Sequence, residues 1–239
     1  MDNALYYLAL NRQTGLRRAM DTVANNVANL NTPGFRREQI VFSEFVKRTG
    51  AGDSVSMADS GASFASSRPG EVRITNAPLD IAIEGDGFFL TDGQDGPLLS
   101  RAGMFQTSPE GLVVTPSGRP LLDDGGGQIF LPPGGGRIDI ASDGTLSVDG
   151  EPRARIGVYT AAPETLTRIG GTAFRPTDGF EPVLAPSLRQ GALEGSNVKP
   201  VDEIARMISV SRAYEQAQNM IKDEDDRLRD VIRKLGQAV

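Results

Sequence analysis

Two long stretches of the chain, one at each end, place hydrophobic residues at alternating spacings of three and four. In the first stretch these residues are Leu16, Met20, Val23, Val27 and Leu30. This spacing puts them along one side of an α-helix, as in the seam of a coiled coil. Asp2 can cap the start of the helix, and Thr32-Pro33-Gly34 stops it. The pattern therefore predicts a helix from about residue 2 to Asn31.

The second stretch begins after Pro200 and contains neither Gly nor Pro before Gly236. Its hydrophobic positions at helical spacing include Ile204, Met207, Ile208, Tyr214, Ile221 and Leu228. Polar residues such as Gln218 and Asp225 interrupt the hydrophobic side. We predict a helix that ends near Leu235, and at the usual rise per residue it would be roughly 50 Å long.

Between these stretches the hydrophobic residues alternate with polar ones or come in short runs. Leu79, Ile81 and Ile83 alternate with polar residues, which is typical of a half-buried strand. Most of the Gly and Pro residues lie between 49 and 200, and Asp143-Gly144 and Asp149-Gly150 favour tight hairpin turns. The middle of the chain is therefore predicted to be an all-β meander or sandwich.

The fold class predicted from these patterns is α+β. The two terminal helices are expected to pair into a coiled-coil-like core domain, and the middle is expected to form a central all-β domain. The predicted parts are a helical domain of 1–35 and 200–239, a linking region of 36–78 and 188–199, and a β-domain of 79–187.

Polar residues weaken both predicted helices. Asn25, Asn26 and Asn29 lie on a different face from the hydrophobic seam, and Asn is a poor helix former because its side chain competes for the backbone. A pair of such helices is only marginally stable alone, which suits a subunit whose ends become ordered on assembly. These Asn residues and the two hydrophobic sets are the candidate assembly residues. The alternative is a plain intramolecular helical hairpin beside the β-domain.

The composition narrows the chemistry that is available. The chain has 239 residues with no Cys, His or Trp. It therefore lacks a thiol nucleophile, the usual triad base and the commonest metal ligands. With a formal net charge of −6, nucleic acid is not expected as a partner, because phosphate binding needs a basic surface. We predict a protein that is not an enzyme and that uses no cofactor or metal.

Two acidic turns could suggest a hydrolase site and a calcium site, but neither interpretation is favoured. Glu84 and Asp86 flank Gly85 and are predicted to be solvated acids in a turn. Asp123-Asp124 precedes three Gly residues, without the ligand spacing of a calcium loop.

Two pairs of basic residues are also open to several interpretations. Arg17-Arg18 and Arg36-Arg37 are expected to serve solubility or salt bridges. In an assembly they could also meet the acidic residues 223–226 of a neighbouring subunit.

The sequence predicts neither membrane insertion nor a cleaved signal peptide. No stretch has the eighteen or so apolar residues that a membrane helix needs. The short apolar run from Ala4 to Leu10 follows Asp2 and ends without a small-residue cleavage site. We interpret it as part of the first helix, with a signal peptide as the alternative.

Four motifs occur in order along most of the chain. Residues 24–35 read ANNVANLNTPGF, residues 82–89 read AIEGDGFF, residues 101–105 read RAGMF, and residues 191–198 read GALEGSNV. RAGMF is followed by GLVVT, and GALEGSNV by RMI and SRAYE. Together they resemble the signatures of bacterial flagellar rod and hook proteins. By its length the chain most resembles a proximal rod subunit, with a distal rod subunit as the alternative.

The resemblance implies a structural role. Such subunits assemble through their terminal helices into a helical tube that crosses the periplasm, transmits torque and encloses an export channel. The implied partners are further copies of the chain, a FlgC-type subunit below, a FlgG-type subunit above, and the flagellar type III export apparatus. A periplasmic binding module is a weaker alternative, because it would need a signal peptide and an aromatic site.

Overall fold

The computed structural model describes the backbone of residues 2–48, 54–132 and 134–236, and side chains within 10–40 and 64–233. The described residues form an α+β structure with one long helix near each end and a β-rich middle. Helix α1 spans Asp2–Ala28 and helix α2 spans Pro200–Gly236. Neither helix, over the part that is described, is long and apolar enough to cross a membrane.

Helix α1 ends three residues earlier than the sequence predicts. The prediction ran to Asn31, whereas the helix stops at Ala28. Asn29 begins a turn instead, because its carbonyl accepts a hydrogen bond from the Thr32 N–H (3.2 Å) and its side chain accepts one from the Thr32 hydroxyl (3.0 Å). Leu30 therefore lies in the turn rather than on the helix. Gly15, the expected weak point of the helix, does not interrupt it.

The described strands are short and follow one another closely along the chain. Strands β1 to β17 span, in order, Glu38–Arg48, Ser54–Ala65, Val72–Ile74, Ile81–Glu84, Phe88–Thr91, Leu98–Ser100, Gln106–Thr107, Val113–Val114, Ile138–Ile140, Thr145–Val148, Glu151–Arg155, Val158–Thr160, Leu166–Gly170, Ala173–Pro176, Glu181–Pro182, Ser187–Gln190 and Ala192–Glu194. The predicted linking region of 36–78 thus includes strands β1 and β2, which pair with each other.

The chain divides into two compact units. The first, which we call the helical unit, comprises the described residues of Met1–Val27, Glu38–Ser63 and Lys199–Val239. It contains both helices, strand β1 and most of strand β2. The second, which we call the β-unit, comprises Ala28–Arg37 and Phe64–Val198. The turn that follows α1 therefore belongs to the β-unit.

The β-unit is built around a six-stranded antiparallel sheet in the order β13-β14-β6-β5-β12-β15. Phe89 and Leu90 are neighbours in strand β5, so their side chains point to opposite faces of this sheet. Phe89 joins one buried hydrophobic cluster and packs edge-on against Phe105. Leu90 joins a second cluster that includes Phe174. The sheet is therefore apolar on both faces.

The tight turns predicted from Asp-Gly pairs are present. Asp149 and Gly150 both have positive φ, at 53° and 82°, and join β10 directly to β11. This is the backbone geometry of the tightest hairpin turns, which Gly adopts without strain. Gly144 also has positive φ, in the turn between β9 and β10.

Strand β4 departs from the half-buried pattern that was predicted for it. Ile81 and Ile83 are buried as expected, but Ala82 between them is buried as well. Ala82 lies opposite Arg189 of β16, whose longer side chain is half-exposed.

Candidate functional site

The predicted seam of helix α1 lies on one side of the helix in the structure. Val23 is buried, while Leu16, Met20 and Val27 are half-buried. Hydrogen bonds between side chains join this helix to α2. One of them runs from the Gln13 side chain to the Tyr214 hydroxyl, at 3.3 Å.

Asn26 makes a second helix-to-helix contact and also holds the start of strand β1. It is buried, and its side-chain oxygen accepts a hydrogen bond from the Glu38 N–H at 2.8 Å. Its NH₂ group lies 3.0 Å from the Glu38 carbonyl and 3.3 Å from the Glu203 carboxylate. Asn25 donates to the Glu38 carboxylate at 3.1 Å. Asn26 therefore bonds to two other segments of the same chain.

Helix α2 presents a buried side whose members the sequence identified only in part. Glu203 and Ala217 are buried, and Met207, Val210, Tyr214 and Ile221 are half-buried. Their spacings are again three and four, so all six lie on one side of the helix. Sequence reasoning missed Glu203 because charged residues are rarely buried unless they are paired. A partner of Glu203, Asn26, lies on the other helix and is far away in the sequence. The side chain of Leu228 lies outside the described residues.

The opposite side of α2 carries exposed hydrophobic residues. Val201, Ile204 and Ile208 are 77%, 52% and 48% exposed. Steps of three and four residues place them in one row along the first turns of the helix. We call these three residues the α2 stripe. The sequence had assigned Ile204 and Ile208 to the same seam as Met207, but they face away from it.

Farther along α2 the described charged residues between Lys222 and Arg229 are mostly exposed. Arg227 binds the Glu224 carboxylate at 2.6 Å, and Arg229 binds Asp225 at 2.9 Å. The hydrogen bond from Arg227 lowers the pKa of Glu224. These pairs lie within one helix, so much of the acidic charge of residues 223–226 is already matched locally.

A second polar cluster, which the sequence did not reveal, is buried in the β-unit. The Glu194 carboxylate lies 3.0 Å from the Arg36 guanidinium and 2.5 Å from that of Arg101. All three side chains are less than a tenth exposed. Burial lowers the pKa of Arg36, with Glu194 opposing this shift. Arg36 therefore forms a salt bridge, one of the roles expected for it, but the salt bridge is buried rather than at the surface.

Arg101 and Arg168 complete this cluster. Arg101 donates to the carbonyls of Ile83, Gly85 and Gly87 at 2.8, 2.6 and 2.5 Å. It thereby shapes the turn that carries the second motif. The Arg168 guanidinium lies 4.6 Å from the ring centres of both Phe35 and Phe174, a cation–π arrangement.

Gly34 explains why the first motif needs a glycine. It has a φ of 70°, and a Cβ atom there would come 2.3 Å from the backbone nitrogen of Ala102. Phe35, the next residue, is fully buried. The last residues of the motif, Gly34 and Phe35, therefore pack within the β-unit.

Comparison with known protein families matches three parts of the chain. Residues 7–36 match the model described as flagella basal body rod protein. Residues 82–148 match the flagellar hook protein FlgE/F/G D1 domain. Residues 189–234 match the flagellar basal body rod FlgEFG protein C-terminal model. Together they define a protein of the flagellar rod and hook class.

Curated relatives narrow this class. The protein described as flagellar basal-body rod protein FlgF from Caulobacter vibrioides is 38% identical, over 99% of this chain and 99% of its own. A FlgF from Mesorhizobium japonicum is 37% identical, over 96% and 97%. A FlgG from Bacillus subtilis is 30% identical, over 95% and 97%. The chain belongs to the flagellar basal-body rod protein family, and these FlgF relatives resemble it more than this FlgG does.

Proposed function

We propose that this chain is a FlgF-type structural subunit of the flagellar rod. It assembles through its terminal helices into a helical tube that transmits torque across the periplasm and encloses the export channel. Family membership supports the rod. The α2 stripe supports the role of the helices, because it is an apolar surface that is largely exposed among the described residues.

The stripe has the size and spacing of a helix-packing surface. Residues in steps of three and four form the ridge that one helix offers to another. Fully burying a Val or Ile side chain contributes about 1.5–3 kcal/mol. Since the three side chains are about half to three-quarters exposed, covering them contributes on the order of 3 kcal/mol. A neighbouring subunit that brings a matching helix would supply that cover.

The partners follow from this role. They are further copies of the chain, with a FlgC-type subunit below, a FlgG-type subunit above, and the type III export apparatus that delivers the chain without cleaving a signal. The coiled-coil pairing of the two helices, with 36–78 and 188–199 as linking segments, belongs to the same proposal. So does the absence of catalysis.

The distal rod subunit, FlgG, is the second candidate. It is supported by the 30% identity to the relative from Bacillus subtilis, which is lower than the 37–38% of the FlgF relatives above. The two differ in the part of the rod that is missing from basal bodies when the gene is deleted. Loss of the proximal segment supports FlgF, and loss of the distal segment alone supports FlgG.

The test of the stripe is the substitution Ile204→Asp in a strain that lacks the native gene. An unpaired charge at an interface that must become dry is costly, so we expect loss of swimming and loss of the chain from purified basal bodies. Arg206→Asp is the matched control, since Arg206 is exposed and points almost the opposite way around the helix. Normal incorporation of the Ile204→Asp chain would refute the proposed role of the stripe.

A further inference from the structure

Two segments of the β-unit that lead to the terminal helices run side by side. The Gly34 N–H donates to the Glu194 carbonyl at 2.7 Å, and the Asn197 N–H donates to the Phe35 carbonyl at 3.3 Å. The Arg37 N–H donates to the Asn197 side-chain oxygen at 2.6 Å. Residues 34–37 and 194–197 are thus joined, and we call this contact the exit joint.

The exit joint is closed by buried charge. Arg36 from the first segment and Glu194 from the second form the 3.0 Å ion pair, and Arg101 holds the other Glu194 oxygen. Removing Glu194 would leave two buried guanidinium groups without compensation, which is strongly unfavourable. The two segments are therefore held by contacts that are costly to break singly.

The exit joint shortens the connection between the end of helix α1 and the start of helix α2. Helix α1 ends and helix α2 begins roughly 170 residues apart. Through the joint, the connecting path from Ala28 to Pro200 shortens to about ten residues. The probability that the ends of a flexible chain meet falls as about the 3/2 power of its length, so relative to an unfolded connection the joint raises their effective concentration on the order of 70-fold. Opening the joint while the β-unit stays folded gives a smaller difference, because the folded unit still shortens the connection.

We propose that the exit joint is a staple that pairs α1 with α2 within one subunit, and that Arg36 and Glu194 are its positioning residues. The inference rests on the proposed function for its biological role, because that function requires the helix pair. It accounts for how two helices with polar interruptions meet at all. The joint lowers the entropic cost of pairing the two helices. Packing between subunits then needs to contribute less free energy to keep them paired.

Cross-linking measures this pairing directly, because the chain has no Cys of its own. Gln13→Cys and Tyr214→Cys introduce thiols at a described contact between the helices. A short bis-maleimide reagent then joins them in dilute purified protein, and the rate of the intramolecular product reports the effective concentration. The resonance dispersion of the β-unit amides in NMR spectra reports whether that unit stays folded.

Gly34→Val is the variant that opens the joint, since its side chain would collide with Ala102. Gly118→Val is the matched control, because Gly118 also has positive φ (81°) but a Cβ atom there would meet no other atom within 4 Å. We expect cross-linking at least ten-fold slower in Gly34→Val than in Gly118→Val, with the β-unit folded. Equal rates would overturn the proposal.

A second variant decides the outcome if Gly34→Val unfolds the β-unit. Arg36→Met keeps the Glu194–Arg101 pair and removes one tie across the joint. We expect it to slow cross-linking at least three-fold, and an unchanged rate in folded protein would overturn the proposal. This test and the Ile204→Asp test fail independently, because cross-linking needs no rod.

Discussion

At the scale of single residues, Asn26 ties three segments of the helical unit together. It accepts a hydrogen bond from the Glu38 N–H and donates to the Glu38 carbonyl and the Glu203 carboxylate. An amide is a side chain that supplies a donor and an acceptor at once on a short stem. The low helix propensity of Asn is therefore offset by bonds that a better helix former could not make.

Replacing Asn26 by Leu removes these bonds while it keeps a similar volume. We expect the free energy of unfolding of the helical unit to fall by about 1–3 kcal/mol, because buried polar groups lose this partner. Thermal unfolding followed by far-ultraviolet circular dichroism measures the change. Asn25→Leu is the control, because Asn25 is half-buried rather than buried, and the expected loss is under about 1 kcal/mol. Equal losses in the two variants would contradict this role of Asn26.

At the scale of elements, the end of the first motif and helix α1 are held by different means. Helix α1 depends on burying one side, since an isolated helix gains little from propensity. Residues 34–37 instead lie in the β-unit with Phe35 and Arg36 buried. We therefore expect the helix to open more readily than the segment of residues 34–37.

Limited trypsin digestion tests this difference. We expect early cleavage after Arg17 and Arg212, which are exposed on the helices, and late cleavage after Arg36, because a buried segment must open before a protease binds it. Mass spectrometry of the fragments gives the order of the cuts. Early cleavage after Arg36, with Arg17 and Arg212 intact, would contradict the assignment of the motif to the β-unit.

The elements that could be predicted from sequence are those with local causes. Helix α2 starts where Pro200 fixes the first turn, and it continues because no Gly or Pro follows until Gly236. The Asp149-Gly150 hairpin follows from the positive φ that both residues adopt. In each case the signal lies within a few residues of the structure it determines.

The features that could not be predicted depend on residues far away in the chain. Arg36 sits beside Arg37 and resembles a surface cation, but its partner Glu194 comes more than a hundred residues later. Ile204 has the spacing of a seam residue, yet Glu203 occupies the buried side because Asn26 of α1 lies there. Periodicity predicts which residues share a face, but not which face becomes buried.

At the scale of the whole molecule, each unit is built from chain segments that are far apart. The helical unit needs three segments and the β-unit needs two. Contacts between distant segments carry a large entropic cost of closure. The helical unit, with its polar interruptions, is the part where this cost is least well matched by packing.

A charge in the α1 seam should therefore affect the helical unit alone. We expect Val27→Asp to lower helical content and to prevent incorporation into the rod, because Val27 is half-buried and an unpaired buried charge is costly. NMR spectra should show the β-unit still folded. Ala24→Asp, at an exposed position of the same helix, is the control, and motility in the Val27→Asp strain would count against the prediction.

The bonding of Arg101 also bears on how natural variation should be read. Its guanidinium reaches three carbonyls and a carboxylate at once, which the flat fork of arginine permits and the single ammonium of lysine does not. A change from arginine to lysine is usually scored as mild when strains are compared. At position 101 such a change marks a disrupted turn, whereas the same change at the exposed Arg206 carries no such meaning.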